Sequence, residues 1–320
     1  MKSSHGPLHA IIGRTPLVPL RRVVDGCQVP VLAKCEHLNP GGSVKDRIAL
    51  AIIDAAEASG LLRPGDTIVE ATAGNTGVGL ALVAAQRGYK LLFVMPEKMS
   101  EDKRRALRAL GAELVIADNA PPTDPRNFQR VAERLADRAG HFLADQFRNP
   151  ANPLVHERTT GVEILEQTAG RIGAFIAGSG TGGTITGVAR CLKAADPNIR
   201  IVLADPVGSR LAGLINDGAL GEDGSYLVEG IGGSEVPGVL DPTLIDEAIS
   251  VSDRDSFAMT QRLVREEGLL VGGSAGTAVC AALTIARRAD VGSGPVVVVL
   301  PDSWDRYQST IFDPSWMIRV

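Results

Sequence analysis

Two rhythms of apolar and polar residues alternate along this chain. Short apolar runs predict strands, and longer stretches with apolar positions three and four residues apart predict amphipathic helices. Strands are predicted over residues 17–20 and 31–35, joined by a turn around Asp25-Gly26, and a helix runs from the Lys45 region to Ala58, closed by Ser59-Gly60. From there the alternation is strict, with strands over 67–70, 91–95, 113–117 and 141–144 and helices over 78–87, 100–110 and 126–139. The second half repeats the order, with strands over 174–177, 200–204, 249–252 and 296–300 and helices over 153–167, 182–195, 256–267 and 274–288. Residues 205–242 are dense in glycine and read as irregular. Short buried strands alternating with helices imply parallel sheets covered on both faces. The expected fold is α/β in two lobes, with the site between them.

The chemistry concentrates where loops feed helix starts, the place where open α/β sheets bind ligands. In Asn39-Pro40-Gly41-Gly42-Ser43-Val44-Lys45-Asp46-Arg47, Ser43 reads as the N-cap and Lys45 as a first-turn residue. The helix dipole disfavours a cation there, so Lys45 is either an ordinary solvated lysine or an amine kept reactive toward a carbonyl carbon. After the strand ending at Glu70, Thr72-Ala73-Gly74-Asn75-Thr76-Gly77 offers N–H groups, hydroxyls and an amide, suited to a carboxylate or to a plain helix cap. Gly178-Ser179-Gly180-Thr181-Gly182-Gly183-Thr184 contains no lysine, so it is no nucleotide P-loop and reads as a cup for one phosphate. Gly272-Gly273-Ser274-Ala275-Gly276 sets Ser274 at another helix start.

A competing reading uses part of the same sequence. Gly178, Gly180 and Gly183 match a dinucleotide fingerprint, with Asp205 22 residues on at the end of the next strand. That would make a nicotinamide dehydrogenase, but it leaves Lys45 and residues 72–77 without roles. A third reading is a catalytically idle relative that only binds a partner, against which the intact Lys45, Asn75 and Ser274 argue.

Composition removes other classes. The chain is 44% hydrophobic and 22% charged with net charge −4, which gives no footprint for nucleic acid and no basic run for a membrane surface. The apolar run 296–300 is far too short to span a bilayer, and the first residues lack the layout of a signal peptide. Cys27, Cys35, Cys191 and Cys280 are scattered and the histidines isolated, so free thiols in a reducing cytoplasm are expected and a metal site is not.

A cofactor with one phosphate, an aldehyde for a lysine and a pyridine ring accounts for all four loops, and pyridoxal 5'-phosphate is that cofactor. Lys45 then forms the Schiff base, and Gly180, Thr181, Gly182, Gly183 and Thr184 hold the phosphate. Asn75 reaches the ring oxygen, while the N–H groups and hydroxyls of residues 72–76 hold the substrate carboxylate. Ser274 hydrogen-bonds the ring nitrogen, and a neutral hydroxyl there makes a weaker electron sink than an aspartate would. Such a site favours elimination and replacement at the β-carbon over transamination.

Motifs running nearly end to end resemble the cysteine synthase / cystathionine β-synthase family, the fold-type-II pyridoxal phosphate enzymes. They are Ile12-Gly13-Arg14-Thr15-Pro16-Leu17, the Lys45 block, the 72–77 block, Gln146-Phe147-Arg148-Asn149-Pro150, the 180–184 cup, Glu229-Gly230-Ile231-Gly232 and Gly273-Ser274-Ala275-Gly276. Met95-Pro96-Glu97-Lys98-Met99-Ser100, residues 228–232, Leu300-Pro301-Asp302-Ser303 and Trp316-Met317 look most like the cystathionine β-synthase branch. The resemblance implies condensation of serine with homocysteine, with hydrogen sulfide release from cysteine as a further activity and cysteine synthase as the alternative. It implies that Lys45 is displaced by the substrate and then removes its α-proton, that the β-hydroxyl leaves as water, and that a thiolate adds. It further implies substrate binding by Thr72, Ala73, Gly74, Asn75, Thr76, Gln146 and Gly230, and a cytoplasmic homodimer acting on small amino acids. The lobes would be residues 1–13 with 39–145, carrying the substrate loop, and residues 14–38 with 146–320, carrying the cofactor phosphate and ring. Ala73, Phe147 and Gly233 depart from the serine and two tyrosines common in the family, and bear on donor and acceptor choice. Neither a C-terminal nucleoside-binding pair nor an N-terminal haem extension is expected.

Overall fold

A computed structural model describes residues 8–72, 74–97, 99–121, 123–291 and 294–320. Its strands are β1 (Leu17–Pro19), β2 (Val31–Cys35), β3 (Thr67–Ala71), β4 (Lys90–Pro96), β5 (Glu113–Ala117), β6 (His141–Leu143), β7 (Ala174–Gly178), β8 (Arg200–Pro206), β9 (Glu247–Val251) and β10 (Val296–Leu300). Its α-helices are α1 (Lys45–Ala58), α2 (Asn75–Arg87), α3 (Glu101–Ala109), α4 (Phe128–Ala136), α5 (Ala151–Val155), α6 (Gly161–Thr168), α7 (Gly183–Ala195), α8 (Leu211–Asp217), α9 (Asp253–Arg262), α10 (Gly273–Ala286) and α11 (Pro314–Met317). The chain forms two compact units, one of Met1–Ile12 with Asn39–Asn152 and one of Gly13–Leu38 with Pro153–Val320.

The smaller unit is built on a parallel sheet in the order β5-β4-β3-β6. One face buries Val69, Ala71, Leu92 and Val94 against Ala132 of α4 and its apolar neighbours. Ile48, Ile52 and Ile53 of α1 and Leu80 and Val83 of α2 are also buried. Those two helices touch closely, because a Cβ on Gly79 would lie 2.9 Å from the Lys45 carbonyl and 3.1 Å from Ala49 Cβ. A larger residue at 79 would push apart the helix starts that carry Lys45 and Asn75.

The larger unit carries a six-stranded sheet in the order β1-β2-β10-β7-β8-β9, parallel except for the edge pair β1 and β2. The alternation of side chains explains the all-apolar strand Val296–Leu300. Val296, Val298 and Leu300 enter one core beneath α10, and Val297 and Val299 enter the opposite core with Ile185, Val188 and Leu192 of α7. A strand covered on both faces has no polar position to show.

Several expected boundaries shift. Helix α2 starts at Asn75, three residues before the apolar periodicity, so Asn75, Thr76 and Gly77 are helical and not loop. The expected cap Ser43 lies one residue before the helix boundary at Val44, yet its hydroxyl still accepts the Lys45 N–H at 3.2 Å. The helix expected over 126–139 is shorter, because Asn127 caps it by accepting the Gln129 N–H at 2.9 Å. The stretch 205–242 is not wholly irregular, since α8 lies within it, and the helix over 153–167 is interrupted by a π-helical turn at His156–Thr160. That turn falls where α7 comes nearest: a Cβ on Gly187 would collide with the Pro153 carbonyl and lie 2.7 Å from His156 Cβ. Among the described residues no helix is long and apolar enough to cross a membrane.

Candidate active site

In the smaller unit, the expected residues gather around the starts of α1 and α2 and the end of β6. Lys45 opens α1, half-buried, between the buried Ser43 and Asp46. The Asp46 carboxylate folds back to accept the Gly41 N–H at 2.5 Å, which closes the Pro-Gly-Gly loop; a Cβ on Gly41 would overlap that carboxylate. Beyond β3, the buried Thr72 hydroxyl accepts the Gly74 N–H at 3.3 Å, and Asn75 and Thr76 form the first turn of α2. Ala73 lies outside the described residues. Gln146 follows β6 and is joined to this turn: its side-chain oxygen accepts the Thr76 hydroxyl at 2.5 Å. Asn152 donates to the Gln146 carbonyl at 2.7 Å, and Phe147 beside it is half-buried.

Behind Gln146 sits Glu70, which sequence reasoning treated only as the end of a strand. It is 1% exposed, and its two oxygens accept the Gln146 backbone N–H and side-chain N–H, each at 3.3 Å. Burial pushes its carboxyl up to about 8, and the charge on Asp145 pushes the same way, against the lowering effect of the Gln146 and Ala71 N–H groups.

In the larger unit, the glycine-rich loop joins β7 to α7 as expected, and close backbone approach explains its glycines. A Cβ on Gly180 would collide with the Gly230 carbonyl, and one on Gly182, whose φ is +85°, would lie 2.6 Å from Leu240 Cβ. Gly230 therefore forms a wall of the cup, and Gly232 adds a hydrogen bond from its N–H to the Ser179 carbonyl at 2.8 Å. The buried Thr181 hydroxyl accepts the Gly183 N–H at 3.3 Å. The Ser179 hydroxyl is fully buried and has no hydrogen-bond partner among the described residues. It lies in the loop that leads into the thirteen-residue α7, three residues before the N-cap Gly182, and a buried hydroxyl without a partner there is one polar group the protein itself leaves unsatisfied.

Sequence reasoning also missed His156. Its imidazole, 1% exposed, lies 3.2 Å from the Thr184 hydroxyl through Nε2 and 2.9 Å from the Thr160 hydroxyl through Nδ1. The π-helical turn is what aims it at the cup.

Ser274, 4% exposed, is the second residue of α10. A bridge between Val271 and Ser303, just past β10, brings its loop to the carboxyl end of the sheet, the same end at which β7 opens into the glycine cup. Gly272 there lies so close to Asp302 and Tyr307 that a Cβ would overlap both, and the Tyr307 hydroxyl donates to Asp302 Oδ2 at 2.7 Å. Asp205 does not serve the dinucleotide reading. It is fully buried and accepts the Ala212 N–H at 2.8 Å near the start of α8, with its carboxyl pushed up to about 6 by burial. A ribose could not reach it. Gly233 is held by the Ser209 hydroxyl and the Arg210 N–H, and a Cβ there would meet only the Glu235 carbonyl, at 3.3 Å. Glycine at 233 is thus not demanded by the backbone.

The family model for pyridoxal-phosphate dependent enzymes matches residues 8–302. A cysteine synthase of Staphylococcus aureus is 48% identical over 303 residues, covering 94% of this chain and 94% of that one. The crystal structure of an O-ureido-L-serine synthase is similar with a TM-score of 0.89 and 42% identity, over 98% of this chain and 96% of that chain. That of a hydrogen sulfide-producing enzyme from Fusobacterium nucleatum is similar with a TM-score of 0.86 and 35% identity, over 96% of this chain and 99% of that chain.

Proposed function

This chain belongs to the family of pyridoxal-phosphate dependent enzymes, of the cysteine synthase type, and on that premise we propose that it replaces the β-substituent of an activated serine with sulfide to form cysteine. Its cofactor is pyridoxal 5'-phosphate and its architecture that of the fold-type-II branch. The observation that carries the reaction is the likeness to a cysteine synthase over 94% of both chains. It supports O-acetylserine or O-phosphoserine with sulfide better than the cystathionine β-synthase reaction to which several motifs lean.

The residues present fit the cofactor. The cup of Gly180, Thr181, Gly182, Gly183 and Thr184 has backbone N–H groups at the start of α7 and no room for side chains at Gly180 and Gly182, which suits one phosphate. Lys45 would hold the aldehyde carbon, Asn75 the ring oxygen and Ser274 the ring nitrogen. When bound, pyridoxal phosphate supplies an electron sink for charge developing at the substrate's α-carbon. Thr72, Ala73, Gly74, Asn75, Thr76 and Gln146 orient the amino acid through its carboxylate, and Gly230 lines the cup. Lys45 Nζ would take the proton from the substrate's α-carbon, and would return it once the β-substituent has left with its bonding electrons and sulfide has added in its place. The protein would act as a cytoplasmic homodimer, with the substrate loop on the smaller lobe and the phosphate cup on the larger.

A product assay crossing O-acetylserine, O-phosphoserine and serine with sulfide and homocysteine tests this. Cysteine from an activated serine and sulfide is expected; cystathionine from serine and homocysteine as the main product overturns it. Lys45→Ala should lower turnover at least about a thousandfold and abolish borohydride fixation of the cofactor. A different acceptor is the second reading, favoured by the likeness to an O-ureido-L-serine synthase. Hydroxyurea as acceptor in the same assay checks it.

A further inference from the structure

Glu70, Gln146 and Thr76 form a hydrogen-bonded line within the smaller unit that ends in the first turn of α2, part of the segment 72–76 proposed to cradle the substrate carboxylate. Gln146 is in the middle, with its amide nitrogen 3.3 Å from Glu70 Oε1 and its amide oxygen 2.5 Å from the Thr76 hydroxyl oxygen. With Glu70 ionised it can only accept, so the Gln146 NH₂ must face it and the Gln146 oxygen must take the single proton of Thr76. Thr76 then has no proton left for an anion. With Glu70 protonated, the line can run the other way after a half-turn of the Gln146 amide alone. The amide turns over, Glu70 donates to the Gln146 oxygen, the NH₂ donates to the Thr76 oxygen, and the Thr76 proton is released toward the loop.

We propose that Glu70 is a positioning residue whose proton sets the direction of this line, and so decides whether Thr76 donates to the substrate carboxylate. This rests on the reading of residues 72–76 as the carboxylate cradle. Three surroundings of Glu70 support it. It is an interior-strand residue, 1% exposed, with β4 on one side offering Phe93 in register and β6 on the other. No cation pairs with it among the described residues. The charged group acting on it is Asp145, which follows β6 and is itself held by Arg148 at 2.8 Å; Arg148 in turn reaches Glu133 on α4. Helix α2, which carries Thr76, has no titratable side chain before Arg87, its last residue. A carboxyl so placed keeps its proton near neutrality, with a midpoint raised to about 8. Substrate binding is thereby favoured below that midpoint, the proton being taken from solvent.

Two measurements on the purified holoenzyme test the proposal. Infrared titration should show the carbonyl band of a protonated carboxylic acid that is lost near pH 8 and is absent in Glu70→Gln. A band that titrates only in the ordinary carboxylate range, or that persists in Glu70→Gln, overturns it. The second measurement uses L-alanine, which has the α-carboxylate but no β-leaving group, with its dissociation constant read from cofactor absorbance. Comparing proteins at each pH cancels the ionisation of alanine itself. Between about pH 6.5 and 9.5 the wild type should weaken about tenfold relative to Glu70→Gln and converge on Thr76→Val, which lacks the released proton at every pH. A ratio that does not change with pH overturns the relay. If Glu70→Gln does not fold, convergence of wild type and Thr76→Val still decides it. Alanine that binds none of the proteins while the carboxyl band titrates as expected overturns the cradle reading, and with it the substrate role of the line.

Discussion

The two candidate ligand loops, one after β3 and one after β7, share a strand–loop–helix plan but are held in different ways. In the loop after β7, the backbone is locked by absence of side chains: Gly180 meets the Gly230 carbonyl, Gly182 has a φ of +85° and meets Leu240, and Gly178 meets Ile231. In the loop after β3, Gly74 is exposed with nothing near a Cβ, and the geometry is set by side chains, Thr72 to Gly74 and Thr76 to Gln146 to Glu70. A cup made of packed backbone offers one fixed set of N–H donors, which would suit a group that stays bound. A loop made of hydroxyls and an amide can redirect its protons, which suits a ligand that arrives and leaves.

This comparison can be broken from either side. The largest loss at a fixed pH is expected for Gly180→Ala, which must displace the loop or Gly230. It should cost about 3 kcal/mol or more in denaturant unfolding and release the cofactor, seen as lost absorbance. Next is Glu70, where the sign follows from its raised midpoint. The unfolded carboxyl ionises near 4.5 and the folded one near 8, so the folded state binds the extra proton between them. Wild-type stability is therefore full below about pH 4.5, falls as pH rises to about 8, and is flat beyond. Glu70→Gln should escape that loss, gaining on the order of 4 kcal/mol relative to wild type between pH 5 and pH 9 in paired unfolding curves. His156→Leu should strip Thr184 of its partner and leave buried Thr160 unsatisfied, costing about 2 kcal/mol and weakening phosphate holding about tenfold, measured as pyridoxal phosphate affinity of the apoenzyme. Gly74→Ala should be the mildest in stability, within about 0.5 kcal/mol, because a methyl group there meets nothing within 4 Å. A large stability loss at Gly74, or a small one at Gly180, would remove the distinction between the two loops.

The strand-and-helix order, the position of Lys45 in a first turn and the glycine-rich loop are legible along the chain, because apolar periodicity and glycine placement are local signals. The strand from Val296 to Leu300 was legible for the same reason: its residues enter two cores alternately, so both faces demand apolar side chains. Asn75 at the start of α2 was only partly legible, since that first turn is held by side chains and carries no apolar stripe. The other features arise when the elements pack. Packing paired Glu70 with Gln146 across 76 residues, aimed His156 at Thr184 across 28, and buried Asp205 where the fingerprint needed it exposed. These contacts are made by single polar groups that meet when strands and helices pack. A buried hydrogen bond or a shifted carboxyl depends on what else is within a few ångströms, and no periodicity along the chain records that.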